Sequence, residues 1–396
     1  MPIIKSLLDS DLYKITMLQS VLHKFPNIWV KYRFKCRNSG ILWTDNIVNY
    51  ITDEIDKYCT LTFTKEELDW LGSLRYIKKD LIEFLRIYRP QREHVHITHT
   101  PGGTDLDITV EGPWFLTTLF EVPILAIVNE VYFAETVMNE VAIRDMSTFF
   151  GTAETRLSQK IEIAKKEKFL FSDFGTRRRF SGYWQNQVIH KLAKELPRDI
   201  FGGTSNMYLA MHENLTPIGT MAHEYICVGQ SLDSVTLASS QTYMLQAWVD
   251  EYRGDLGTAL SDTLGTDKFL KDFDLYFAKL YDGVRHDSGD PITWGEKMIN
   301  HYEALRIDPR TKQFVFSDGL DFEKAARIHK HFKDRAKVSF GIGTNLTNDF
   351  EGVTPLNIVM KIVEANNRPV AKISDNPGKT MCEDEGFIKY LRQVSE

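Results

Sequence analysis

The chain has 396 residues, of which 43% are hydrophobic and 26% charged, so we expect a globular protein of two to three domains. Its net charge of −6 argues against nucleic acid as the main partner, which usually requires a broad basic face, but a local basic cluster for a small anion is compatible with it. No run approaches the roughly 18 apolar residues of a membrane span, and the acidic N-terminal residues do not match a secretory signal. Four separated cysteines without CxxC spacing favour a reducing, cytoplasmic location and argue against a metal cluster.

The first 140 residues predict a mixed α+β domain. Helical spacing of apolar residues predicts a helix over 9–23, and alternation of apolar and polar residues predicts a strand over 28–37. Thr64 and Glu67 have the spacing of a capping box, which indicates the start of another helix near Lys65.

Two further strands are predicted over 94–98 and 106–111, with Pro101-Gly102-Gly103 as the turn between them. The long apolar stretch 115–137 then predicts a buried helix that is interrupted at Pro123.

From about residue 165, short apolar runs end in small or charged residues, and helical segments follow them. The six predicted strands with their polar ends are 169–179, 199–206, 217–223, 283–290, 314–319 and 338–345. The amphipathic helices between them include 184–196, 242–252 and 322–332. This alternation predicts a parallel sheet. A (β/α) barrel with its site at the carboxyl ends of the strands is favoured over a Rossmann sheet, because no convincing GxGxxG follows a first strand.

We therefore expect an N-terminal α+β domain over 1–140 and an α/β barrel over 141–355. The segment 356–396 contains a predicted strand pair, 358–363 and 369–374, which we expect to return to the first domain.

Arg177, Arg178 and Arg179 lie between a predicted strand and a predicted helix. Three guanidinium groups at this position indicate an anion site, and the alternative is a solvated basic patch. His223 ends the run Gly219-Thr-Met-Ala, whose small residues leave room beside the imidazole; the alternative is a packed core histidine. Glu224 would point to the other face of a strand and need not be the partner of His223.

Residues 285–290, Arg-His-Asp-Ser-Gly-Asp, place several charges in one short loop. A carboxylate there could accept hydrogen bonds from sugar hydroxyls or hold Mg²⁺, and the alternative is a polar turn closed by Pro291. Asp318-Gly319 and residues 341–344 each end an apolar run, and their glycines would let backbone N–H groups approach a phosphate, although ordinary turns also use glycine. Together these features predict a site for a phosphorylated sugar.

Seven motifs, in order along nearly the whole chain, resemble the nicotinate phosphoribosyltransferase family. They are residues 10–14, 173–177, 203–206, 219–224, 285–289, 341–344 and 372–379. The resemblance implies an irregular α/β barrel of the type II phosphoribosyltransferase kind, an N-terminal sandwich-like α+β domain and a homodimer. It also implies the first step of NAD salvage from nicotinate. In that step nicotinate and 5-phosphoribosyl 1-diphosphate give nicotinate mononucleotide and diphosphate, with ATP hydrolysis coupled to the reaction and Mg²⁺ required.

The resemblance also implies roles for individual residues. His223 would be phosphorylated by ATP, and the pyridine ring would lie between Phe174 and a Tyr13 supplied by the neighbouring subunit. Thr220 and Arg285 would contact nicotinate. The remaining implied contacts are Asp287 and Asp318 with ribose hydroxyls, Gly319, Gly343 and Thr344 with the phosphorylated sugar, and Arg177 or its neighbours with phosphates.

Three alternatives remain open. A nicotinamide-using relative has an acidic residue where this chain has Ser205, and a carboxylate there would repel nicotinate, so the serine favours the acid substrate. A quinolinate-using relative lacks the phosphorylatable histidine. A non-catalytic sensor of a phosphorylated sugar could lose the histidine or the loop charges, which this chain retains.

Overall fold

The computed structural model describes residues 2–100, 102–139, 141, 145–376, 380–382 and 384–395. Three sequence predictions lie partly outside these residues. They are Pro101 of the predicted turn, residue 140 at the predicted domain boundary, and residues 377–379 of the last motif.

The first sheet is antiparallel and has the strand order β12-β11-β1-β3-β2. Its strands are β1 (Trp29–Cys36), β2 (Val95–His99), β3 (Leu106–Pro113), β11 (Ile358–Ala365) and β12 (Arg368–Pro369). β1 buries alternate residues, as its sequence pattern predicts, and it lies in the centre of the sheet between β3 and β11. The C-terminal strands therefore complete the sheet that the N-terminal residues begin.

Within the described residues up to Phe133, six α-helices accompany this sheet. They are α1 (Leu12–Lys24), α2 (Asp45–Tyr58), α3 (Lys65–Ser73), α4 (Lys79–Ile87), α5 (Trp114–Thr117) and α6 (Glu121–Phe133). The capping box predicted at Thr64 and Glu67 is confirmed, with both reciprocal hydrogen bonds present at the start of α3.

The apolar stretch that contains α5 and α6 is helical over Trp114–Met138 and has a mean hydropathy of 1.4. It is long and apolar enough to cross a membrane, but 83% of its most apolar window is buried inside the protein, so it is a core helix. The predicted interruption at Pro123 is wrong in position. The break is a 3₁₀ turn at Thr118–Phe120, and Pro123 lies in the first turn of α6, where a missing N–H costs no helical hydrogen bond.

The second sheet is parallel and has seven strands in the order β6-β5-β4-β10-β9-β8-β7. These strands are β4 (Leu170–Asp173), β5 (Phe201–Thr204), β6 (Thr216–Pro217), β7 (Thr258–Leu260), β8 (Gly283–His286), β9 (Gln313–Phe316) and β10 (Lys337–Ile342). Because β10 pairs with β4, the strands follow one another in chain order around a barrel. The barrel is irregular, since β6 and β7 form the two edges of the sheet. The predicted fold class is confirmed.

Helices connect these strands. They are α7 (Met146–Glu167), α8 (Gly182–Glu195), α9 (Met207–His212), α10 (His223–Val228), α11 (Ser240–Tyr252), α12 (Thr266–Asp272), α13 (Leu275–Leu280), α14 (Pro291–Ala304), α15 (Phe322–Phe332) and α16 (Thr344–Thr347), with α17 (Glu385–Ser395) near the C-terminus. One predicted strand is corrected, and one observed strand was not predicted. The expected strand over 217–223 is only the two-residue β6, and β7 was not predicted because its three residues are too few to show a pattern.

The break between β6 and β7 is covered by α1. The hydroxyl of Thr220, just after β6, donates to the carbonyl of Thr258 in β7, and the hydroxyl of Thr16 in α1 donates to the carbonyl of Thr220. Gly219 has φ 145°, and a Cβ at this position would lie 3.4 Å from the amide nitrogen of Tyr13. The first helix of the chain is thus packed into the barrel.

Candidate active site

A cavity of about 370 Å³ lies at the carboxyl ends of the barrel strands and is covered on one side by the first sheet. Most of the residues predicted for the site line it. They are Tyr13, Phe174, Arg177, His223, Arg285, Asp287, Asp318, Gly319, Gly343 and Thr344. The carboxyl ends of the strands in a barrel bring together side chains from distant parts of the chain. The position of these residues around the cavity therefore follows from the topology.

Two aromatic rings, those of Tyr13 and Phe174, line the cavity, and each has an arginine beside it. The guanidinium carbon of Arg177 lies 5.9 Å from the centre of the Tyr13 ring, and that of Arg285 lies 5.9 Å from the centre of the Phe174 ring. The expectation that Tyr13 comes from a neighbouring subunit is wrong, because α1 of the same chain packs against the barrel and carries Tyr13 to the cavity. This wall suits a planar, anionic ring.

Gly341 in β10 makes room for Phe174. A Cβ on Gly341 would lie 2.2 Å from a carbon of the Phe174 ring, so any larger residue would displace the ring from the cavity. The amide of Phe174 donates to the carbonyl of Ile342, which fixes the loop after β4 to the neighbouring strand. Gly341, the first residue of the motif 341–344, therefore holds Phe174 in place. We call the rings of Tyr13 and Phe174 the aromatic wall of the cavity.

Arg285, from β8, is held by hydrogen bonds on two sides. Its Nε donates to the hydroxyl of Ser317 at 2.9 Å, and an Nη donates to Oδ1 of Asp287 at 3.1 Å. The guanidinium plane is thus oriented before any ligand binds.

The lining of the cavity is strongly basic. Besides Arg177 and Arg285, its lining contains Arg37, Arg178, Lys361 and Lys372, against the two carboxylates of Asp287 and Asp318. Burial, followed by repulsion from Lys372 and Arg37, lowers the pKa of Lys361 to about 8. Burial and the neighbouring Arg177 and Arg37 lower the pKa of Arg178 to about 10. Repulsion among these buried cations is relieved when an anion binds between them, so the cluster is suited to bind an anion.

His223 is the first residue of α10 and faces the end of β7. Its Nε2 lies 2.8 Å from Oδ1 of Asp262 and 3.7 Å from Oδ2 of Asp287. Burial and the nearby Lys372 lower the pKa of His223, so its imidazole is neutral at neutral pH. Because the ionised Asp262 accepts the Nε2–H, the lone pair of the ring is on Nδ1.

Lys372 completes the surroundings of His223. Its ammonium group lies 2.6 Å from Oδ2 of Asp262 and 3.3 Å from Oδ2 of Asp287. His223, Asp262 and Asp287 have donor atoms within 4.8 Å of one another, a spacing that could hold a metal ion. In this structure the ammonium group supplies the positive charge that these carboxylates require.

Three residues of the sequence predictions lie behind the cavity. The Ser205 hydroxyl donates to Oδ1 of the buried Asp11 at 2.7 Å, and the Thr220 hydroxyl donates to the backbone of β7. Arg179 is buried in ion pairs with Asp9 and Glu130, at 2.6 and 2.8 Å. Arg177 and Arg178, but not Arg179, are therefore the arginines of this cluster that face the cavity.

Sequence reasoning missed Arg37, Asp262 and Lys361. Asp262 follows the short β7, and the run Ala259-Leu-Ser-Asp262 ends like the other strand runs, which was the available signal. Arg37 and Lys361 lie at the end of β1 and within β11, where a polar residue in an alternating strand does not reveal which side of the sheet carries a ligand.

Known proteins resemble this chain along its whole length. The model of the nicotinate phosphoribosyltransferase family matches residues 169–396, and that of the corresponding N-terminal domain matches residues 8–129. A nicotinate phosphoribosyltransferase of Xylella fastidiosa is 51% identical over 99% of this chain and 98% of its own length. One of Burkholderia ambifaria is 51% identical over 99% and 96%.

Solved structures agree with these sequence matches. The crystal structure of nicotinate phosphoribosyltransferase from Vibrio cholerae superimposes with a TM-score of 0.92 at 39% identity, covering 99% of this chain and 94% of that one. The crystal structure from Porphyromonas gingivalis gives a TM-score of 0.91 at 35% identity and covers 100% of both chains.

Proposed function

Since the chain belongs to the nicotinate phosphoribosyltransferase family, we propose that ATP drives its reaction through phosphorylation of His223. The enzyme transfers the phosphoribosyl group of 5-phosphoribosyl 1-diphosphate to nicotinate, as its family assignment and its relatives indicate. The resemblance found in the sequence is thereby confirmed. The roles of individual residues and the coupling to ATP form the proposal.

The pyridine ring of nicotinate binds between Tyr13 and Phe174. Its carboxylate pairs with Arg285, whose guanidinium is already oriented by Ser317 and Asp287, and Arg177 adds positive charge on the Tyr13 side. The ring nitrogen carries its own lone pair, so the transfer requires no general base. The protein therefore acts by aligning the ring with the sugar carbon.

The phosphorylated sugar binds in the basic part of the cavity. Asp287 and Asp318 accept hydrogen bonds from ribose hydroxyls, and the backbone at Gly319, Gly343 and Thr344 surrounds the 5′-phosphate. Arg178 and Lys361 neutralise phosphate charge, and the bound anion offsets both the burial and the mutual repulsion that lower their pKa values. Asp287 and Asp318 are also oxygen donors suited to Mg²⁺, which would neutralise the diphosphate leaving group when bound.

The geometry of His223 carries the proposal of ATP coupling. Asp262 holds the imidazole through Nε2, so Nδ1 is the nucleophile. Nδ1 attacks the γ-phosphorus of ATP, a P–N bond forms, and the bond to the ADP oxygen breaks. Lys372, beside Asp262 and Asp287, offsets the added negative charge. Hydrolysis of the P–N bond in each cycle couples ATP to the synthesis.

A labelling experiment tests this proposal. Wild-type protein incubated with γ-labelled ATP should take up an acid-labile, base-stable label, whereas His223→Asn should take up none. The variant should fold normally and keep slow transfer without ATP, yet lose ATP stimulation and ATP hydrolysis. Product assays with nicotinate and nicotinamide side by side, with and without ATP, identify the substrate. Label on His223→Asn would place the phosphorylated residue elsewhere.

We also propose a cytoplasmic homodimer. The four cysteines, Cys36, Cys59, Cys227 and Cys382, are all free thiols, as expected in a reducing compartment.

A second cavity, of about 970 Å³, has exposed apolar side chains at its rim, among them Tyr50, Met146 and Tyr183. Such an apolar area suits contact with a second copy. Light scattering at micromolar concentration should give twice the chain mass of 45.8 kDa.

A further inference from the structure

The segment that carries His223 is held against α1 by alternate residues. The three contacts are the Thr16 hydroxyl with the carbonyl of Thr220 (2.6 Å), the amide of Ala222 with Sδ of Met17 (3.3 Å), and Nζ of Lys14 with the carboxylate of Glu224 (2.6 Å). Residues 220, 222 and 224 therefore contact the helix, while His223 faces Asp262. The helix also carries Tyr13, so the histidine and the aromatic wall share one support.

Lys14 is the centre of a buried ion chain. We use this name for Glu224, Lys14, Glu121 and Arg177, which are joined in that order. Nζ of Lys14 lies 2.6 Å from both Glu224 and Glu121, and its side chain is fully buried. Glu121 then accepts a hydrogen bond from Arg177 at 3.2 Å. The chain thus connects the residue next to His223 with an arginine that lines the cavity.

The members of the buried ion chain are tightly constrained. Burial alone would lower the pKa of Lys14, but Glu121 and Glu224 raise it, so the ammonium group stays charged. Glu224 also accepts hydrogen bonds from Tyr32 and Thr118, at 3.1 and 3.0 Å. In surroundings of low dielectric constant, a shift of one charge changes the preferred position of the next. From Glu224 through Lys14 to Glu121 the buried ion chain can therefore transmit a displacement with little solvent screening, and Arg177, whose side chain is 40% exposed, is the member that meets the cavity.

We propose that Lys14 is a positioning residue through which the phosphorylation state of His223 changes the affinity for nicotinate. This inference rests on the phosphohistidine of the proposed function. A phosphoryl group on His223 places negative charge beside the first turn of α10 and displaces Glu224. The buried ion chain passes this displacement to Arg177, and α1 passes it to Tyr13. Nicotinate then binds more tightly to the phosphorylated enzyme.

The test compares the KM for nicotinate with and without ATP. Glu224→Gln keeps the shape of the side chain but removes its charge, so the variant should still take up label at His223 and keep its kcat. The lowering of KM by ATP in the wild type should shrink to less than twofold in the variant. Ser20→Ala is the matched control. It removes a 2.8 Å hydrogen bond between α1 and Tyr225 of α10, and neither residue belongs to the buried ion chain. It should keep the full ATP effect.

The outcomes separate the two proposals. A wild type that takes up no label would overturn the proposed function. A labelled Glu224→Gln variant with the full ATP effect on KM would overturn the role of the buried ion chain alone. If Glu224→Gln does not fold, the triple variant Lys14→Met/Glu121→Gln/Glu224→Gln removes the lysine together with both of its buried carboxylate partners and is tested in the same way.

Discussion

Lys372 shares the carboxylate of Asp262 with His223: its ammonium group contacts Oδ2 at 2.6 Å, and the imidazole contacts Oδ1 at 2.8 Å. Burial and this lysine together lower the pKa of His223 and so favour its neutral form. In the proposed reaction, the same ammonium group would also offset the negative charge of a phosphoryl group on the histidine.

This relationship predicts the pH dependence of phosphorylation. Burial and Lys372 lower the pKa of His223, so the neutral, nucleophilic form persists below the ordinary value of 6.5. We expect the rate of label uptake to stay constant from pH 8 down through 6.5 and to fall only at lower pH. Lys372→Met should raise the pKa and move this decline to higher pH. Identical pH profiles for the two proteins would show that Lys372 does not control the histidine.

Arg285 should determine the affinity for nicotinate. Arg285→Ala removes the proposed carboxylate partner and should weaken nicotinate binding by about 2–5 kcal/mol, as for a buried charge pair. Arg285→Lys should restore only part of this, because an ammonium group cannot reproduce the guanidinium orientation set by Ser317 and Asp287. The KM for nicotinate is the measurement, and an unchanged KM in both variants would exclude this role.

Ser205→Asp should depress nicotinate use. The Ser205 hydroxyl donates to the buried Asp11, so an aspartate would place two carboxylates together behind Arg177. We expect lower kcat/KM for nicotinate and a lower Tm, whereas Ser205→Ala should cost about 1 kcal/mol, the usual value of one hydrogen bond. Undiminished nicotinate turnover in Ser205→Asp would show that this position does not influence the ring site, and a rise in nicotinamide turnover would place it beside the ring substituent.

Lys361 should make binding of the phosphorylated sugar sensitive to pH near 8. Its pKa of about 8 means that the positive charge is lost as pH rises through this value. Binding of an anion favours the protonated form, so calorimetry at pH 8 in buffers of different ionisation enthalpy should detect proton uptake. The Kd for 5-phosphoribosyl 1-diphosphate should rise by roughly tenfold between pH 7 and 9, since a charged hydrogen bond contributes about 1.5–3 kcal/mol. Lys361→Met should show neither effect.

Two adjacent arginines should differ in what they support. Arg179 is buried between Asp9 and Glu130, so Arg179→Met should reduce the free energy of unfolding by about 3–5 kcal/mol, the usual cost of breaking a buried ion pair. Arg178 lines the cavity and forms no ion pair of this kind with the described residues, although its Nε donates to the carbonyl of Ile358, so Arg178→Met should lower the Tm much less than Arg179→Met but weaken binding of the phosphorylated sugar. Denaturant unfolding and calorimetric titration of both variants provide the comparison, and equal losses of stability would contradict it.

The sequence indicated the barrel because strands and helices alternate over many residues, and it indicated the strand ends because polar residues interrupt apolar runs there. It could not reveal β7, whose three residues carry no periodicity, and Asp262 was missed with it. Nor could it distinguish Arg179 from Arg178. The two are adjacent and chemically identical, and only the packing of Asp9 and Glu130 separates them.

The sequence also could not show which subunit supplies Tyr13 to the cavity. A motif shows that a tyrosine belongs to a site, but the chain that supplies it depends on how α1 packs beside the break between β6 and β7. Ser205 is similar, since its motif predicts proximity to the ring, whereas its hydroxyl turns to Asp11. Long-range packing decides both cases.

The return of β11 to the centre of the first sheet has a consequence for synthesis on the ribosome. Tyr13 and Arg37 emerge early, whereas Lys361 and Lys372 emerge only with the last tenth or so of the chain. A nascent polypeptide therefore cannot assemble the anion-binding cavity until translation is almost complete. A product that ends before residue 356 would leave β1 as an unpaired edge, exposed to self-association and to proteases.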